Sequence, residues 1–181
     1  FVVDAKFITP GKPAFNYAEV KSHEKRETPV SEFKVTLHSD KPSAKVGDPA
    51  YFTVTSTKDC YLTLINISGK DEGVVILPNK FSQDNAIRAG QQFVFPSEKD
   101  GYDFKFEDKG TETVIALCDT SGEAIDIQHD YAKEEFTKLG RSISVNKRID
   151  NVKAPDKKKA KAGSGGFAPD VARTAIKIKV D

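Results

Sequence analysis

Between Phe33 and Val180 several stretches alternate apolar and polar residues with a period of two, the signature of half-buried strands. Phe33, Val35 and Leu37 fall on one side, and Lys34, Thr36 and His38 on the other. Tyr51-Phe52-Thr53-Val54-Thr55-Ser56 repeats the pattern, and the run from Asp59 to Ile67 follows after a short polar break, a spacing that predicts a hairpin. Ser68 to Gly73 is turn-rich, so the apolar Val74-Val75-Ile76-Leu77 is expected to close a second hairpin. Gln92 to Pro96 and Tyr102 to Phe106 read as strands joined through Asp100-Gly101. Thr111 to Cys118 becomes wholly apolar, as a strand covered on both faces should. At the end, Ile176, Ile178 and Val180 oppose Lys177 and Lys179, which predicts an edge strand with one wet face. Turn residues around Lys45-Val46 leave room there only for a minimal edge segment.

The remaining segments lack that alternation. Asp130 has the chemistry of a helix cap, Tyr131, Ala132, Phe136 and Leu139 group on one side, and Gly140 is a stop, which predicts a short helix over 130–140. Arg141 to Val145 then reads as a further short strand. Residues 152–166 are rich in lysine and glycine and are expected to form a flexible loop. Lys80 to Gln92 is a long connection that Phe81 and Ile87 should pin to the fold. Residues 1–32 open with a short apolar strand and continue as a polar arm without periodicity. The expected organisation is therefore an arm over 1–32 and a domain over 33–181. Its fold class is all-β: an immunoglobulin-like antiparallel β-sandwich with one short peripheral helix.

Composition narrows the setting. A chain of 181 residues suits one domain with extra segments, since single cores form at roughly 100 to 200 residues. The net charge is +1, so no long-range field draws in nucleic acid. Mean hydropathy is -0.49, and no apolar run approaches the roughly 20 residues of a spanning helix. The sequence has no methionine and starts Phe1-Val2-Val3, from which we expect a segment removed upstream, either a signal peptide or an excised region. Cys60 and Cys118 lie in predicted strands; they suit a disulfide between two sheets, or two buried free thiols.

Val46-Gly47-Asp48-Pro49, Asp59-Cys60-Tyr61-Leu62-Thr63-Leu64-Ile65-Asn66, Leu77-Pro78-Asn79, Ala89-Gly90 and Gly110-Thr111-Glu112-Thr113 occur in an order that resembles the bacterial family of domains of unknown function numbered 4384. The likeness runs from about Phe33 to Asp119. It implies a β-sandwich module of envelope or secreted proteins, often beside peptidase or kinase domains, with no catalytic residues assigned. The arm, the helix and the lysine-rich loop are departures from that pattern.

Chemistry-bearing residues do not form a recognised motif. His23, His38 and His129 have no second ligand at metal-binding spacing. The acidic loops match no EF-hand series, and no nucleophile elbow or phosphate loop is present. We therefore expect no enzyme activity, no cofactor and no metal. The expected role is a protein-interaction or assembly module of the bacterial envelope, periplasmic, outer-membrane-associated or extracellular. Its contacts would come from sheet edges, from the apolar Phe1, Val3 and Phe7 by strand addition, and from Lys157, Lys158 and Lys159. The alternatives are a carbohydrate or calcium module using loops around Asp71, Asp84 and Asp100, and an accessory domain of a larger enzyme.

Overall fold

Among residues 32–122, 127–151 and 170–181, which a computed structural model describes, twelve strands and one α-helix form. In chain order they are β1 (Val35–Ser39), β2 (Ser43–Ala44), β3 (Pro49–Ala50), β4 (Phe52–Ser56), β5 (Cys60–Ile67), β6 (Glu72–Leu77), β7 (Ala86–Ile87), β8 (Gln92–Phe95), β9 (Phe104–Lys105), β10 (Gly110–Asp119), β11 (Thr137–Arg141), α1 (Ser142–Asn151) and β12 (Val171–Val180). The fold is all-β with one short helix, and its strands pair antiparallel except β2, which runs parallel to β12. A small sheet runs β1-β4-β8. A large one runs β11-β6-β5-β10-β12-β2, with β7 beside β5, and β3 pairs with β9 apart from both.

Alternation along the small sheet decides how the two layers meet. Val35 and Leu37 of β1, Phe52 and Val54 of β4 and Phe95 of β8 are buried, and they pack on Leu62, Leu64, Ile76, Val114, Ala116 and Ile178 of the large sheet. The opposite face of the large sheet is covered in part by α1, whose Val145 and Ile149 meet Ile65, Ile67, Val75, Ile115, Leu117 and Leu139. Covered on both sides, β5 and β10 are buried almost throughout, which is why alternation fades there. As expected, β5 and β6 form a hairpin, and β10 lies between β5 and β12.

Five expectations change. Although adjacent in sequence, β4 and β5 do not pair: they lie in different sheets and their buried faces oppose each other. Facing Phe52 and Val54 toward Leu62 and Leu64 removes both sets from water, which side-by-side pairing would not do. The bend is fixed by Ser56, whose hydroxyl donates to the Lys58 carbonyl at 2.7 Å. In the same way β8 and β9 belong to different sheets, and a 3-10 turn at Glu98–Asp100 separates them. The minimal edge segment is Ser43–Ala44, while Val46 and Gly47 form a turn.

The helix lies further along the chain than 130–140. Asp130 accepts main-chain bonds from Lys133 and Glu134, making a single turn. Thr137 and Leu139 are then buried while Lys138 and Gly140 are exposed, so the chain pairs with β6 as β11. Gly140, at φ 81°, sits at a register shift and redirects the chain. The helix begins at Ser142, within the run expected to be a strand, because Val145 and Ile149 are four apart and both reach the core.

Candidate functional site

Three features of the described residues could engage a partner: an open sheet edge, a groove on the inner side of the large sheet and a shallower groove beside α1. The edge belongs to β12. Its ten residues pair with β10 along their whole length, but on the other side, among the described residues, only Lys179 and Val180 pair, with Ser43 and Ala44 of β2. Just past the strand, Asp181 donates to the Ala44 carbonyl at 3.0 Å and accepts from the Val46 N–H at 3.3 Å. Main-chain groups of alternate residues point to the same side. Ala175 and Lys177 therefore present their N–H and C=O groups to the open side, and Thr174 and Ile176 present theirs to β10.

The inner groove, about 760 Å³, opens where the segment Tyr102–Asp108 and the segment Lys133–Lys138 flank Asn66, Val74, Ile76 and Glu112 of the large sheet. Phe81, Tyr102 and Phe136 form one side as a mutual aromatic cluster, with centroids 5.7 to 6.4 Å apart. Phe81 is 52% exposed, yet its neighbours Tyr102 and Phe136 are half-buried. Glu112 is only 1% exposed. Its carboxylate accepts from Asn66 Nδ2 at 2.8 Å and from the Gly69 N–H at 2.9 Å. The other groove, about 620 Å³, runs along the outer face between α1 and β12 and includes Thr113, Asn146 and Lys177.

Carboxylates in the loops are committed to local bonds. Asp71, at φ 68°, accepts the Ser142 N–H at the start of α1, where an acidic group favours the helix dipole. Asp84 accepts from Ala86 and Asp59 from Ala89. Among the described residues no three histidine, cysteine or acidic side chains gather as a metal set. His38 lies on the exposed side of β1, and His129, half-buried, meets the Thr137 hydroxyl at 2.8 Å. Burial holds the His129 imidazole below its ordinary value.

Asp100 is the centre of a network beneath the aromatic cluster. Burial pushes its carboxyl upward, but hydrogen bonds from the Ser82 hydroxyl and from the Ser97 N–H and hydroxyl outweigh that and hold it below 3.8. The neighbouring Asn79 is fully buried and bonds the Phe81 and Ser82 N–H groups, the Ile76 carbonyl and the Tyr102 hydroxyl. A depressed carboxyl stabilises the fold above its unfolded pKa and loses that contribution as pH falls through the folded value. Asp100→Asn is therefore expected to cost about 1 to 2 kcal/mol at pH 7, with the gap to the parent narrowing as the pH falls through and below the ordinary carboxyl range. Urea unfolding at several pH values measures it, and a gap that does not narrow on acidification would contradict this reading.

Of the site residues named from sequence, Cys60 and Cys118 come together. They are disulfide-bonded with Cα atoms 5.5 Å apart, but the bond joins neighbouring strands β5 and β10 of one sheet rather than two sheets. Register explains this: Cys118 is opposite Leu62, two residues from Cys60, so both thiols point to the same face. Phe1, Val3, Phe7, His23, Lys157, Lys158 and Lys159 lie outside the described residues, as do the arm before Glu32 and all of the lysine-rich loop. Sequence reasoning did not find the groove, whose sides come from three separate stretches. The buried Glu112 left no trace of its own, since β10 carries a second acidic residue, Asp119, at its far end.

Motif residues have visible structural work. Asp48 accepts the Lys45 N–H at 3.0 Å and closes a turn. Gly69 and Gly110 lie so close that a Cβ on Gly110 would come within 3.2 Å of the Gly69 Cα, and a Cβ on Gly69 would collide with the Lys109 carbonyl oxygen. Helices among the described residues are too short or too polar to cross a membrane. No curated protein and no solved structure matches the chain significantly. A family model does match, that of Domain of unknown function (DUF4384), over residues 43–121, a stretch that supplies β2 to β10 and both cysteines. Over residues 43–121 the chain is thus similar to the DUF4384 family.

Proposed function

We propose that the protein is a non-catalytic interaction module of the bacterial cell envelope that assembles by accepting an extended strand along β12. The observation that carries this is the edge itself: ten residues long, fully paired on one side and paired at only two positions on the other among the described residues. An unpaired row of main-chain donors and acceptors is a template for strand addition. Apolar alternation at Phe1, Val3 and Phe7 makes the N-terminal segment of a second copy the donor we favour. The Cys60–Cys118 bond supports an oxidising compartment, since disulfides persist outside the cytosol of most organisms.

Substitution at the edge tests this. Ala175→Pro removes an outward N–H without touching the β10 ladder, and edge strands tolerate proline. In the full chain, light scattering coupled to size exclusion is expected to show concentration-dependent association for the parent. Ala175→Pro and Phe7→Asp should both be monomeric with unchanged circular dichroism. A parent that stays monomeric at every concentration, or an Ala175→Pro protein that associates equally well, would remove the strand-addition reading.

A further inference from the structure

The inner groove shares no lining residue with β12, and its chemistry points to a different ligand. Three observations converge on one charge type. First, Glu112 is a buried carboxylate bonded only to neutral donors, Asn66 Nδ2 and the Gly69 N–H, and no lysine or arginine among the described residues is paired with it. A charge held in a poorly solvated place without a counter-charge casts its potential into the nearest open space, here the groove. Second, the same Asn66 that donates to Glu112 has a buried Oδ1 with no hydrogen-bond partner, an acceptor still lacking a donor. Third, the rim repeats the sign. Glu72, Glu107, Glu134 and Glu135 outnumber Lys105 and Lys138, while Lys133 is taken by Asp130 at 2.8 Å.

Beside these acceptors stands the cluster of Phe81, Tyr102 and Phe136. Aromatic faces next to uncompensated carboxylates suit a flat or compact cation with an apolar stem, because the ring attracts the cation and the stem covers the ring. Phe81, more than half exposed beside the half-buried Tyr102 and Phe136, leaves part of an aromatic face open to a ligand. The net charge of the chain is only +1, so this negative potential is local to the groove rather than a property of the whole surface.

We infer that the groove between Tyr102–Asp108 and Lys133–Lys138 is a binding site for an arginine- or lysine-bearing peptide, with the cationic head drawn toward Glu112 and the side chain lying across Phe81. The site requires neither strand addition nor self-association. The experiment is fluorescence anisotropy of a labelled hexa-arginine peptide with the full chain at low salt, with hexa-glutamate as the comparator. Saturable binding of hexa-arginine alone is expected. Glu112→Gln, which keeps the shape and removes the charge, should weaken it about tenfold. Phe81→Ala should weaken it about fivefold, and because Phe81 is exposed this variant stays informative even where Glu112→Gln fails to fold. Glu98→Gln, a carboxylate on the 3-10 turn and outside the groove, should bind like the parent. The inference fails on any of three results: no saturable binding, equal binding of hexa-glutamate, or a loss with Glu98→Gln as large as with Glu112→Gln.

Discussion

Reduction of the Cys60–Cys118 bond is expected to lower the free energy of unfolding by about 4 kcal/mol. The cysteines are 58 residues apart, and the loop they close contains β6 to β9 and most of β10. Opening so long a loop frees the unfolded chain, and in the chain-entropy picture the cost grows with the logarithm of loop length. The native strands lose less, because β5 and β10 still pair from Tyr61 to Ile67. Both half-cystines are buried, so the reduced thiols fit the same space as small apolar groups. Urea midpoints with and without a phosphine reductant measure the difference, and the double variant Cys60→Ala, Cys118→Ala controls for side effects of the reagent. A midpoint that does not move, with mass spectrometry confirming two free thiols, would show that the bond contributes nothing to stability.

That bond also shows which parts of this molecule can be read in one dimension. Period two was enough to find β1, β4, β8 and β12, whose alternate side chains face water, while short apolar runs between turn residues marked β5, β6 and β10. It could not say which strands pair. Phe52 and Leu62 have equal claims on a hairpin or on facing layers, and only the total area covered decides between them. Tyr131 to Leu139 misled for a related reason: Phe136 and Leu139 are compatible with a helical stripe, but Thr137 and Leu139 also alternate, and an available edge of β6 satisfies the main chain of β11. The spacing of Val145 and Ile149 was the better helical signal. It was masked by the serines and asparagine around it.

Site residues were legible only where a residue's own chemistry is rare. Two cysteines in 181 residues invite pairing, whereas Glu112 is one of 27 acidic residues and nothing in its neighbours in sequence marks it as buried. Its partners Asn66 and Gly69 are more than forty positions away, brought opposite by the β5–β10 register. The stretches Gly110-Thr111-Glu112 and Leu64-Ile65-Asn66 are thus two halves of one hydrogen-bonded unit. Asn79 of the Leu-Pro-Asn motif does the same for the loop that carries Phe81.

Phe52→Ala is expected to destabilise the fold by about 3 to 5 kcal/mol, against less than about 1 kcal/mol for Phe81→Ala. Both are phenylalanines with aromatic neighbours, so their difference isolates burial. Phe52 is wholly enclosed at the start of β4, opposite Phe95 in register and edge-on to Phe104 at 5.6 Å. Phe104 in turn meets Phe106 at 5.5 Å, so truncation leaves a hole bordered by rings that cannot collapse into it without disturbing β9. Phe81 has water on more than half of its surface, and its removal leaves no cavity. Denaturant titration of both variants gives the comparison. A small loss for Phe52→Ala would mean that the two sheets do not rely on their shared core at this point. A large loss for Phe81→Ala would instead make the ring a structural support, and the exposed aromatic side of the groove would need no ligand to explain it.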